Sequence, residues 1–340
     1  MPWRSAIVSL SFVTGVVVAA AAPPPILTES LAGRQVFPVT NWWNLDVSSA
    51  PLDARSDQLI AWISNRTSTN PAATRRLHPD FGPPPYGIPY VTVDGVQPRV
   101  PVTFDYADES DAGIADLTGY PIPDEARTQP HYIEGDVPGG GSSGDRHLLM
   151  IDRDRWILYE LFATRWNAAA NRWDAGSGAI FNLATNDRRP ETWTSADAAG
   201  LAIFPGLVRY DEFSGSGEIT HAFRFSTRAT NGYVWPASHR AGSTTSAPPL
   251  GTRLRLKASK DISAYPSDVQ KIFRAMKRYG LILADNGSDM YVQGTMDSRW
   301  NNDVLNPAFH SLIADDFEVV QLGWGGGTPP QPVSNLRIIR

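Results

Sequence analysis

Apolar and polar positions along the chain alternate mostly in short runs with a period of two, the signature of half-buried strands. Such runs predict strands at Tyr90–Val93, Val100–Tyr106, His147–Ile151, Trp156–Phe162, Ala179–Leu183, Ile219–Phe225, Gly232–Trp235, Arg253–Ala258, Leu281–Ala284, Met290–Val292 and Phe317–Leu322. Turn chemistry links several of them. Asp94-Gly95 predicts a hairpin between the first two, Asp152-Arg-Asp-Arg155 a second, and Asp285-Asn286-Gly287 a third. Helical spacing is rarer. Leu59, Ile60 and Ile63 predict a helix over 56–65. Val269, Ile272, Phe273, Met276 and Tyr279 predict a longer one, with Ser267 and Gln270 as its capping box and Gly280 as its end. Ala107–Gly144 is rich in Asp, Pro and Gly and reads as a long loop. The fold class expected is mostly β: a β-sandwich, jelly roll included, with a few peripheral helices.

The two ends of the chain carry different signals. Arg4 precedes the apolar stretch Ala6 to Ala22, which closes on Ala20-Ala21-Ala22 before a proline run. This is the pattern of a cleaved secretory signal, so secretion is expected, with 1–22 as signal and 23–40 as a Pro-rich leader. The main domain is then 41–322, opening on Asn41-Trp42-Trp43-Asn44. A Gly/Pro linker follows over 323–340, and its last eight residues resemble the first strand of a fibronectin type III domain.

Composition narrows the chemistry. The 340 residues carry a net charge of −5, and Arg75-Arg76 and Arg188-Arg189 are isolated basic pairs. A phosphate backbone needs a concentrated positive face, so no nucleic-acid partner is expected. No membrane partner is expected after signal cleavage. Cysteine is absent, which removes thiolate metal sites and cysteine nucleophiles. Eleven tryptophans are more than a core alone calls for, and flat sugar faces stack on such rings.

Gly140-Gly-Ser142-Ser-Gly144 has nucleophile-elbow spacing, but a loop precedes it and a strand follows, the reverse of what an elbow needs. Asp105, Asp108, Glu109 and Asp111 form an oxygen-rich turn that reads as solvated. The six histidines lack zinc spacing. No metal and no cofactor is expected. Two strands carry ionisable groups among apolar neighbours: Glu160 on the face of Trp156, Leu158 and Phe162, and His221 beside Ile219, Phe223 and Phe225.

Arg146-His-Leu-Leu-Met-Ile151, Leu158-Tyr-Glu-Leu-Phe162, Ile219-Thr-His-Ala-Phe-Arg-Phe225, Tyr233-Val-Trp-Pro-Ala-Ser-His239 and Leu283-Ala-Asp-Asn-Gly-Ser288 resemble a family of secreted bacterial β-rich proteins, often followed by fibronectin type III or sugar-binding modules. The resemblance spans roughly 40–320 and implies compartment and fold, with no activity to transfer. The function expected is therefore a secreted carbohydrate-active enzyme that hydrolyses an extracellular polysaccharide through a carboxylate pair. A polysaccharide-binding module and a polysaccharide lyase are the alternatives. Candidate catalytic residues are Glu160, Asp197, Asp211, Glu212, His221 and His239. Candidate sugar-stacking residues are Trp156, Trp193, Tyr233 and Trp235.

Overall fold

The computed structural model describes residues 23–115 and 117–326 and the backbone of Ile338–Ile339. The signal segment and most of the fibronectin-like stretch lie outside the described residues.

The chain is mostly β, with two main sheets that face one another. The first has five strands in the order Ile26–Leu27, Tyr90–Val93, Leu148–Asp152, Ile157–Phe162, Ser177–Asn182. The second has six: Phe317–Val319, Arg253–Leu256, Leu281–Asn286, Phe223–Thr227, Tyr291–Gln293, His78–Asp80. The architecture is sandwich-like, as the alternating pattern predicts. It differs from a jelly roll, which is antiparallel, because four strand pairs run parallel, among them Tyr90–Val93 with Leu148–Asp152 and Phe223–Thr227 with Leu281–Asn286.

Alternation along the first sheet explains why it is buried on both faces. Leu149, Ile151, Leu158 and Phe181 point into the large core shared with the second sheet, where Phe223, Phe225, Leu254 and Leu283 meet them. Leu148, Met150, Ile157, Tyr159 and Leu161 point the other way. That outer face is covered by the segment that reads as a loop. Ile114, Tyr120, Ile122, Ala126, Tyr132 and Ile133 are buried there as a second core. Their spacing follows no period because the segment folds as short turns, two-residue strands and single-turn helices, Glu125–Thr128 and Pro138–Gly140 among them. Gly178 lets this cap approach closely: a Cβ there would meet the Tyr120 hydroxyl at 2.5 Å.

Helices form where predicted, at Ser56–Ile63 and Ser267–Arg278. The capping box does not form. Pro266 precedes the helix without a side-chain cap, and Gln270 donates instead to the Ser263 and Tyr265 carbonyls. A helix at Asn302–His310, capped by Asn301, carries an internal Pro307 that hid it from a pattern reading.

Of the three predicted hairpins, only Leu148–Asp152 with Ile157–Phe162 exists. Tyr90–Val93 belongs to the first sheet, whereas Val102–Phe104 joins Arg172–Ala175 in a small separate sheet. Leu281–Asn286 and Tyr291–Gln293 lie on opposite sides of Phe223–Thr227, which takes the place between them. The leader is also more than a leader, since Ile26–Leu27 pairs with Tyr90–Val93 as an edge strand. Gly232–Trp235 forms only an isolated bridge, Tyr233 with Leu250.

Candidate functional site

Strand direction brings polar groups together at one end of the sandwich. Phe223–Thr227 and Leu281–Asn286 run parallel, so their C-terminal ends emerge side by side, with Ser226 opposite Asp285. Facing them are the start of Leu148–Asp152, preceded by His147, the end of Ile157–Phe162 and the start of Ser177–Asn182. Between these ends lies a cleft with two lobes. The outer lobe, about 430 Å³, is walled by Tyr106, Glu109, Phe162, Ser177, Thr194 to Ala198, His239 and Ala241. The inner lobe, about 280 Å³, is walled by Asp80, Glu134, Arg224, Ser226, Tyr291 and Gln293. Asp145, His147, Asp285 and Asn286 line both and so form the joint.

Each charge here has a distinct setting. Arg224 alternates away from Phe223 and Phe225 on its strand and is buried. Its Nη2 donates to Asp197 Oδ1 at 2.5 Å and lies 3.8 Å from Asp285 Oδ2. Burial pushes the Asp197 carboxyl up to about 7 in spite of that guanidinium. Asp197 Oδ2 has no hydrogen-bond partner. Asp285 is raised as well, by burial first and by the neighbouring Asp145 charge, with Arg224 and His147 opposing. Asp145 is exposed at the mouth.

His147 is fixed on both sides: Nδ1 is 2.6 Å from Glu134 Oε2 and Nε2 is 3.1 Å from the Ala196 carbonyl. Burial alone would lower this imidazole, but the Glu134 carboxylate outweighs it and raises it to about 9. Both nitrogens then donate, and the pair is an ion pair at neutral pH. His239 differs. Its Nδ1 is 2.9 Å from the Ala198 carbonyl, and no described residue partners Nε2. Ser195 and Ser177 are poor nucleophile candidates. The Ser195 hydroxyl donates to the Leu201 carbonyl at 2.6 Å, Ser177 donates to the Ser195 carbonyl at 2.7 Å, and no histidine partners either hydroxyl.

Of the candidate catalytic and sugar-stacking residues, Asp197 and His239 stand at this cleft and the others stand elsewhere. Glu160 is wholly buried between the sheet and the segment 201–206. Its carboxylate accepts the Ile203 and Phe204 backbone N–H groups at 2.9 Å. Burial raises it to about 7 while those bonds pull it down. Asp211, Glu212 and His221 gather around Arg209 instead. His221 Nε2 is 2.9 Å from Glu212 Oε2, Arg209 Nη2 donates to Glu212 at 2.5 Å, and Asp211 accepts the Leu31 N–H.

The aromatic candidates are mostly engaged. Trp156 packs into the core beneath the Arg34 guanidinium, 3.5 Å from the ring centroid. Trp235 meets Trp42 edge-on and lies against Gly326. The Tyr233 hydroxyl donates to Glu191 at 2.9 Å, and the Arg189 guanidinium sits 5.4 Å from Trp193.

The acidic turn is part of the wall. Arg189 pairs with buried Asp111, and Glu109 accepts the Thr194 N–H. Asp105 pairs with Arg165. Among the described residues, no three His, Asp or Glu side chains are arranged to hold a metal ion.

Asp145, His147, Arg224 and Asp285 are functional candidates that a pattern reading passes over. Arg224 carried a usable signal, a charge on the face opposite Phe223 and Phe225 in a strand apolar on both sides. Asp285 was hidden by its resemblance to a turn residue.

No protein-family model, curated protein or solved structure matches the chain.

Proposed function

We propose that the chain is a secreted carbohydrate-active hydrolase that cleaves a glycosidic bond at the joint of the two-lobed cleft. One observation carries the reading. Asp145 and Asp285 line both lobes, and each sits in the other's field, with the Asp285 carboxyl raised and Asp145 open to solvent. Two carboxyls in unequal environments divide the work of such a cleavage. Asp285, whose carboxyl burial raises, gives a proton to the leaving oxygen. Asp145, exposed at the mouth, acts as base or nucleophile. Arg224, anchored by Asp197, sets the charge balance at Asp285 and is a positioning residue.

The same geometry weighs against the alternatives. A lyase acting on a uronate needs free positive charge beside the substrate carboxylate. The cations here, Arg224 and His147, are already paired with Asp197 and Glu134. A stacking module needs an open aromatic platform, and Trp156 is covered by the Arg34 guanidinium while Trp235 meets Trp42 edge-on. The extracellular setting rests on the signal-like pattern of residues 1–22.

The test is a screen of the purified protein against neutral, basic and acidic polysaccharides, read as new reducing ends and as unsaturated-product absorbance. Reducing ends that vanish in Asp285→Asn and Asp145→Asn support the reading. Unsaturated products would move it to a lyase. Binding without cleavage would move it to a binding module.

A further inference from the structure

The inner lobe is rich in acceptors and poor in free donors. Asp80, Glu134, Asp145 and Asp285 bring four carboxyl groups to it, against Arg224 and His147, both already paired. Among the described residues no ion pair reaches Asp80 or Asp145, and burial raises the Asp80 carboxyl, the Gln293 amide and Arg224 opposing and the nearby Glu134 and Asp145 charges adding to it.

Unpartnered polar atoms give an independent sign. Gln293, only 8% exposed, lines this lobe, and its Oε1 has no donor. Its Nε2 reaches Asp80 Oδ2 only at 3.5 Å. Asn286 Oδ1 likewise has none, its amide nitrogen being held by the Ala241 carbonyl. On the other side of the count, Arg224 Nε is an unpartnered donor. Buried acceptors left without donors are rare in folded proteins and mark a missing group.

We propose that the inner lobe is a subsite for a protonated primary amine, which makes the substrate an amino-sugar polysaccharide with free amino groups. An ammonium carries one positive charge and three donors on one atom. It supplies what Asp80, Gln293 Oε1 and Asn286 Oδ1 lack. An acetamide in its place has no charge and a single N–H. This inference rests on the hydrolase reading for its choice of a sugar, while the amine site itself rests on the lobe.

The experiment uses calorimetric titration of the full chain with a glucosamine oligosaccharide and its N-acetylated counterpart, and reducing-end assays on both polymers. The expected result is binding of the amine form at least about tenfold tighter, with that preference lost in Asp80→Asn and in Gln293→Leu at unchanged melting temperature. Equal affinity, absence of amine binding, or a preference intact in both variants would overturn the subsite. Preferential binding without cleavage of either polymer leaves the amine site standing and removes the hydrolase. Equal cleavage of both polymers does the opposite.

Discussion

Glu160 and Asp197 are both buried carboxyls raised to about 7, yet they stand in different kinds of place. Glu160 sits in the middle of a strand, and backbone N–H groups of Ile203 and Phe204 fill its oxygens. It fastens the 201–206 segment to the first sheet. Asp197 has one oxygen on Arg224 and the other without a partner, at the wall of a cleft. Desolvation acts on both, so a raised carboxyl by itself does not separate a staple from a site. What separates them is the account of partners: complete at Glu160, incomplete at Asp197 and around its cleft.

The largest expected effect tests that separation through turnover. Asp285→Asn removes the proposed proton donor and should lower kcat/KM by on the order of 10²–10⁴-fold. Glu160→Gln should leave turnover per folded molecule near normal, because its oxygens face backbone and not substrate. A folded Glu160→Gln enzyme with turnover lost to a similar degree would erase the distinction. Asp197→Asn sharpens it. Without Asp197 the Arg224 charge acts more strongly on Asp285, which lowers that carboxyl. The wild-type kcat/KM should fall as pH rises through the raised Asp285 value, and in Asp197→Asn this fall should move to lower pH.

The second effect is on stability and belongs to the staple. Glu160→Ala strands two buried backbone donors and opens a cavity, a loss of roughly 3 kcal/mol. Glu160 also predicts a pH slope. Its carboxyl is raised from 4.5 to about 7, so the folded state holds the proton more tightly than the unfolded one. That contribution is fully present below about pH 4.5 and is lost as pH rises through about 7. Denaturant titrations across this window should show the wild type losing about 3 kcal/mol relative to Glu160→Gln. Parallel curves would show that Glu160 ionises normally in the fold.

Much of the framework can be read from the chain because it depends on local alternation. Trp156, Leu158 and Glu160 share a face as the period of two requires, and the helix at Ser267–Arg278 follows from its apolar stripe. Sheet order is another matter. Nothing local tells Leu281–Asn286 to accept Phe223–Thr227 as a neighbour in place of Tyr291–Gln293. That choice brings Arg224 beside Asp285, so the site was illegible for the same reason as the topology. Asp197 and His239 could be suspected as polar residues near strand ends and aromatics. Their companions come from two segments far apart in sequence, Asp145 with His147 on one and Asp285 on the other, and only the three-dimensional arrangement joins them. Ile114, Tyr120 and Ile122 taught a related lesson, since an aperiodic segment can still be core when it covers a sheet.

A third effect compares two buried histidines paired with carboxylates, His147 with Glu134 and His221 with Glu212. His147 is raised to about 9 by Glu134. The stability this supplies is complete below about pH 6.5 and is lost as pH rises through about 9. Glu134→Gln should therefore destabilise by about 2 kcal/mol at pH 6 and by little above pH 9. Melting temperatures at both ends of that range would check it, and a difference that grows with pH would refute the ion pair. Glu212→Gln at the His221 pair lies away from the cleft, so substrate affinity there should stay as in the wild type.

The smallest expected effect concerns the aromatic face next to Glu160. Trp156 was a reasonable stacking residue on sequence grounds, being a large ring on the same strand face as an acid. In the fold its ring is 8% exposed, is packed in the main core and lies under the Arg34 guanidinium. A sugar could reach it only by displacing that cation and opening the core. Trp156→Phe keeps an aromatic ring for Arg34 and removes part of the buried surface, so it should cost about 1 kcal/mol of stability. Saccharide affinity, measured by calorimetry on the folded variant, should remain within about twofold of the wild type, a difference of under about 0.5 kcal/mol. If affinity instead falls tenfold at unchanged fold, the binding surface lies over Trp156, and the cleft between the strand ends is not where the sugar sits.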